Sequence, residues 1–155
     1  MILPAEGDFR IDREVDTARL GRAIARVLQK REAICLTGPL GAGKSTLARE
    51  IIRALAGADT EAPSPTFTLV QTYETATFPL SHFDLYRLEK PEEILELGLD
   101  DALDDGAALI EWAEKLAHHL PADRLDVELT LDGERRRARL TPHGAWEDRP
   151  LELGA

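Results

Sequence analysis

Apolar and polar positions follow two rhythms along this chain, and the places where one rhythm gives way to the other divide it into elements. Leu20, Ile24, Val27 and Leu28 recur at helical spacing and predict a helix over 16–30, capped by Asp16 or Thr17. The unbroken run Ala33-Ile34-Cys35-Leu36 reads as a buried strand, because a parallel strand covered on both faces has no polar side. Helical spacing returns from Ser45 at Leu47, Ile51, Ile52 and Leu55. Residues 57–65 form a loop, and "PSPTF" holds its end extended, since each proline restricts the residue before it. Strands are expected at 67–73 and 78–86. Pro91, Glu92 and Glu93 then open helical segments containing Ile94, Leu95, Leu97, Leu99 and Leu103. Ala107-Ala108-Leu109-Ile110 is a second buried strand, ending at Glu111, and 112–120 is again helical. Finally Leu125, Val127, Leu129 and Leu131 alternate with Asp126, Glu128 and Thr130 before the turn pair Asp132-Gly133. That pattern is a β-hairpin whose return strand spans 135–140.

Composition narrows the setting. A chain of 155 residues, 43% hydrophobic, suits one core, so a single domain is expected over 1–140, followed by a partly ordered tail over 141–155 with Trp146 tucked onto the body. The apolar runs fall far short of the ~20 residues that span a bilayer, and no basic segment with an apolar stretch opens the chain, so a soluble, cytoplasmic protein without membrane contact is expected. The lone Cys35 lies inside an apolar strand and reads as a small core residue. A net charge of −10, from 19 basic and 29 acidic residues, argues against gripping nucleic acid unaided, because that affinity rests on neutralising phosphates. Arg19, Arg22 and Arg26 read as a solvated helix face.

The chemistry concentrates where the first strand meets the second helix. "GPLGAGKS" fits G-x-x-x-x-G-K-[ST] with Gly38, Gly43, Lys44 and Ser45 at the fixed positions, and the strand-loop-helix context is that of a P-loop. There the backbone N–H groups and the helix N-terminus converge on an anion, Lys44 reaches β and γ phosphates, and the Ser45 hydroxyl serves a Mg²⁺ ion. Such a site needs carboxylates at strand ends, and two qualify: Glu111 after "ALI" and Asp84 after "PLSHF". His82, on the same strand as Asp84, reads as a packed or outer-layer imidazole rather than a ligand. Thr66, in the extended loop, is either a γ-phosphate-sensing switch residue or an ordinary turn threonine. Arg136 shares a strand face with Ala138 and Leu140, whereas Arg135, Arg137 and Arg139 point the other way. An arginine on that apolar face needs an anion or an escape to water.

"GPLGAGKST", "SPTFTLV", "HFDLYRL" and "IEWAEKL", in this order and spacing from about Glu14 to Leu140, resemble the TsaE (YjeE) family of bacterial ATPases. The resemblance implies an α/β, P-loop NTPase-like fold: a mostly parallel sheet flanked by helices, with an antiparallel extension that agrees with the C-terminal hairpin. It also implies binding and hydrolysis of ATP with Mg²⁺ in support of threonylcarbamoyladenosine formation next to the tRNA anticodon. TsaD and TsaB would be the partners, and tRNA would be reached indirectly through the complex. Carried over by position, Gly41, Ala42, Gly43, Lys44, Ser45 and Thr46 would hold phosphates, and Ser45 with Glu111 would serve the metal. Lys44, Thr66, Asp84 and Glu111 would form the catalytic set, Trp112 matches the family's tryptophan, and Glu14 and Arg136 would be outer nucleotide contacts. With no arginine placed as a finger, turnover should be slow alone and rise with partners. The competing readings are a small-molecule P-loop kinase, faintly suggested by Asp84 to Arg87, "DLYR", and a nucleotide-binding scaffold without turnover.

Overall fold

In the computed structural model, which describes residues 2–153, the chain opens with strands β1 (Ile2–Pro4) and β2 (Gly7–Ile11) and helix α1 (Glu14–Val27). The first apolar run becomes β3 (Ala33–Thr37), and the glycine-rich turn leads into α2 (Lys44–Ala56). Strands β4 (Val70–Tyr73) and β5 (Leu80–Asp84) precede the short helices α3 (Glu93–Glu96) and α4 (Leu99–Asp105) and strand β6 (Ala107–Glu111). After a 3-10 stretch, Ala113–His119, come β7 (Arg124–Asp132), β8 (Arg135–His143) and β9 (Pro150–Glu152).

Seven strands form one sheet in the order β2-β8-β7-β3-β6-β5-β4, and β1 pairs with β9 in a separate ribbon. The central four, β7, β3, β6 and β5, are parallel, while β8, β2 and β4 attach through antiparallel pairings. This is the α/β architecture expected, with β7 and β8 as the hairpin. Successive residues of β3 divide between the faces: Ile34 and Leu36 pack with Leu20, Ile24, Leu47 and Ile51 of α1 and α2. Ala33 and Cys35 pack on the other side with Phe83, Ile94 and Leu116. Burial on both faces is why that strand reads as an unbroken apolar run, and it holds the Cys35 thiol protonated, its pKa pushed far up by desolvation.

Several boundaries differ from expectation, each for a local reason. Helix α1 starts at Glu14 because Asp16 caps from inside the first turn: its Oδ2 accepts the N–H groups of Arg13 (3.0 Å) and Asp12 (3.1 Å). It ends at Val27, not near Lys30, as the Glu32 carboxylate accepts the Gln29 N–H at 3.0 Å. The strand expected over 67–73 shortens to β4 because Leu69 takes φ 69° and donates its N–H to the Pro65 carbonyl, leaving Phe67 86% exposed. The strand expected over 78–86 narrows to β5. The helical pattern at 112–120 is a 3-10 stretch broken at Ala117.

The C-terminal residues pack on the body. Strand β8 runs on to His143, paired with Arg124, and Trp146, Leu151 and Leu153 are buried in the α1–α2 core. The last two tail residues, Gly154 and Ala155, lie outside the described residues. No helix among the described residues is long and apolar enough to cross a membrane.

Candidate functional site

The turn between β3 and α2 lies at the edge of the parallel sheet, where the strand ends deliver their last side chains to one place. Register aligns Leu36 on β3 with Glu111 on β6, and Glu111 with Asp84 on β5. At Gly38 (φ 133°) a Cβ would collide with the Leu129 carbonyl on β7, so only glycine lets the turn pass the sheet. Gly43, at φ 104°, is the residue before α2, and a Cβ there would meet Arg136 Cδ at 3.4 Å. Gly43→Ala is therefore expected to lower stability by about 1–2 kcal/mol through left-handed backbone strain, read as a lower thermal midpoint; an unchanged midpoint would mean that the turn relaxes freely.

The turn's lysine is held by the turn itself. Lys44 Nζ donates to the carbonyls of Gly38 and Pro39, the latter at 2.9 Å, and sits 4.0 Å from the centre of the Trp112 ring. Burial pushes the Lys44 pKa below its ordinary 10.5, with the Glu114, Glu111 and Asp84 carboxylates opposing that shift. Trp112 reaches this position with a left-handed backbone (φ 60°), and the Tyr86 ring lies 5.0 Å from it.

The two carboxylates are held differently. Glu111 Oε1 accepts from Ser45 Oγ at 2.8 Å, while Oε2 lies 2.6 Å from His82 Nε2. Asp84 Oδ2 accepts from Ser64 Oγ at 2.7 Å and, at a longer 3.4 Å, from Thr66 Oγ1; Oδ1 accepts the Tyr86 N–H at 3.1 Å. Both acids are buried. Ser64 was not among the residues singled out from the sequence, and its only local signal is a hydroxyl in the same proline-bounded loop as Thr66.

A cavity of about 490 Å³ is walled by Gly41, Gly43, Lys44, Ser45 and Thr46 on the turn side and by Thr66, Asp84, Glu111 and Trp112 opposite. Arg136 closes it, with Nη2 donating to the Gly41 carbonyl at 3.2 Å. As its strand parity predicts, Arg136 lies on the face of buried Ala138 and Leu140, while Arg137 and Arg139 pair with Asp132 and Asp8. An adjoining cavity of about 260 Å³ shares Gly43, Thr46 and Arg136 and adds Ala42 and Glu14. So Glu14 stands apart from the carboxylates, across the turn from them.

The donor set suits a phosphate-bearing ligand with a hard cation. Among the described residues no group of three or more His, Cys, Asp and Glu side chains is arranged to hold a metal. The Ser45 hydroxyl and the Glu111 carboxylate offer two oxygens side by side, which suits Mg²⁺, an ion that takes most of its remaining positions from phosphates and water. The N-terminus of α2 adds a positive dipole end.

Comparison with known proteins gives the chain a family and a fold. The family described as "Threonylcarbamoyl adenosine biosynthesis protein TsaE" matches residues 11–139. The chain is 42% identical over 127 residues to a protein of Rickettsia felis named "tRNA threonylcarbamoyladenosine biosynthesis protein TsaE", covering 82% of this chain and 74% of that one. A protein of the same name from Haemophilus influenzae is 38% identical over 125 residues, 77% of each chain. Among solved structures, YdiB of Bacillus subtilis superposes with a TM-score of 0.74 at 25% identity, over 93% of this chain and 87% of that one.

Proposed function

The chain belongs to the TsaE family, and from that premise we propose that it binds ATP with Mg²⁺ at the P-loop and hydrolyses it in support of threonylcarbamoyladenosine formation in tRNA, acting with TsaD and TsaB. The observation that carries this reading is the Ser45–Glu111 hydrogen bond of 2.8 Å, which sets two metal-seeking oxygens beside the P-loop lysine. A Mg²⁺ ion bound there would neutralise charge developing on the β and γ phosphates.

Each residue's part follows from its place. The backbone from Gly41 to Thr46 and the α2 N-terminus bind phosphate oxygens. Lys44 exchanges its carbonyl partners for the β and γ phosphates, a step helped by the weakness of neutral carbonyls against anionic oxygens as acceptors. Asp84, already an acceptor for two hydroxyls, orients the attacking water, and Thr66 on the same oxygen reports whether the γ phosphate is present. Glu14 and Arg136, around the second cavity, contact the rest of the nucleotide. With a net charge of −10 the protein reaches tRNA through its partners, in the cytoplasm.

The test is ATP turnover by the purified protein, alone and with the TsaB–TsaD pair, with Lys44→Ala as the blank. Slow turnover alone, raised strongly by the pair and lost in the variant, is expected, since a group supplied in trans to a phosphoryl-transfer site is worth roughly 10³–10⁵ in rate. Turnover that ignores the partners overturns the partner-gated reading. ATP binding without hydrolysis under any condition replaces it with a scaffold role.

A further inference from the structure

His82 is a buried polar group beside the site that the proposed reaction leaves without a task. It sits on β5 two residues before Asp84, opposite Leu109 of β6 and Gln71 of β4, and both it and Glu111 are only 1% exposed. Its Nε2 lies 2.6 Å from Glu111 Oε2, and among the described residues its Nδ1 has no hydrogen-bond partner. The ring therefore makes its one hydrogen bond to Glu111, as an Nε2–H donor. A ring retained for packing alone has no reason to aim a nitrogen at the carboxylate, and an apolar side chain would fill the same space.

The two oxygens of Glu111 are thus divided: Oε2 faces the protein and Oε1 faces Ser45. A carboxylate on a flexible two-carbon stem has free rotation about its last bond unless one oxygen is fixed. From this division we propose that His82 is a positioning residue, which clamps Oε2 so that Oε1 stays aimed at the Ser45 hydroxyl and at the cation of a bound nucleotide. This rests on the nucleotide reading above. Outer partners that orient a metal-ligating group change metal affinity or activity about 10–100-fold when removed.

The experiment measures binding rather than turnover. ATP is titrated into the protein with EDTA, and Mg²⁺ is then titrated into the ATP complex, both followed by tryptophan fluorescence, to which Trp112 at the cavity wall contributes. His82→Leu is expected to leave ATP affinity in EDTA unchanged and to raise the half-saturating Mg²⁺ concentration about 10–100-fold. His82→Gln, which keeps an N–H donor at similar reach, is expected to recover most of that loss, and in a Glu111→Gln background His82→Leu should add nothing. His82→Met takes the place of His82→Leu if the latter does not fold. An unchanged Mg²⁺ requirement in the apolar variant, a glutamine variant as impaired as the leucine one, or the same loss in EDTA each overturns the clamp. If the unaltered protein shows no Mg²⁺-dependent ATP binding, the nucleotide reading falls and the clamp with it.

Discussion

Glu111→Gln is expected to lower ATP turnover by about 10²–10³-fold while nucleotide affinity in EDTA stays within about threefold. The size follows from what the carboxylate touches. It is buried, and its two oxygens accept from Ser45 at 2.8 Å and from His82 at 2.6 Å. An amide of the same shape presents one oxygen and one N–H₂ group, so it can no longer accept from both Ser45 and His82, and one of the two must turn from donor to acceptor. Whichever way the amide turns, the site loses a negative charge beside the P-loop turn and one of the two oxygen acceptors that face Ser45 and His82. Single-turnover hydrolysis of ATP, with binding measured separately, distinguishes this from a simple loss of fold. Turnover within about threefold of the unaltered protein would remove Glu111 from the metal shell and leave Asp84 as the acid that matters.

The difference between the two acids also explains how much of the site was legible in the sequence. The P-loop is legible because its requirements are local: Gly38 must pass the sheet without a Cβ, Gly43 must turn left-handed into α2, and Lys44 and Ser45 follow at fixed offsets. Glu111 and Asp84 are legible as strand ends, and the parallel register then brings them side by side. Which hydroxyl meets Asp84 was not legible, because Ser64 and Thr66 differ by two residues in a loop whose course is set by Leu69 at φ 69° and its bond to Pro65. The task of His82 was legible only as a choice between packing and outer-layer support, since its partner is 29 residues away on another strand. The fold's least legible part is the C-terminus. Its strand β9 pairs with β1 at the opposite end of the chain, and a three-residue strand with a distant partner carries no periodic signal of its own.

That segment supports the second large prediction: Trp146→Ala is expected to destabilise the fold by about 3–5 kcal/mol, as for other large aromatic deletions from a core. For a chain of this size the thermal midpoint should fall by roughly 6–20 °C. Trp146 is fully buried, and the Arg149 guanidinium lies 4.5 Å from its ring centre. Arg149 in turn forms a two-pronged pair with Glu32, both contacts at 2.7 Å, and donates to the Val27 carbonyl at the end of α1 at 3.0 Å. The indole is thus the floor of a brace that ties the C-terminus to the turn between α1 and β3, on the way into the P-loop strand. Its removal opens a cavity under Arg149 and loosens the seating of Leu151 and Leu153 in the same core. Because the indole lies outside the two cavities beside the P-loop turn, ATP affinity measured well below the new midpoint should be unchanged. Thermal unfolding followed by circular dichroism, with ATP titrations at low temperature, checks both halves. An unaltered midpoint would mean that residues past 143 rest on the body without bracing it, whereas a lower midpoint with weaker ATP binding would mean that the brace reaches the P-loop through β3.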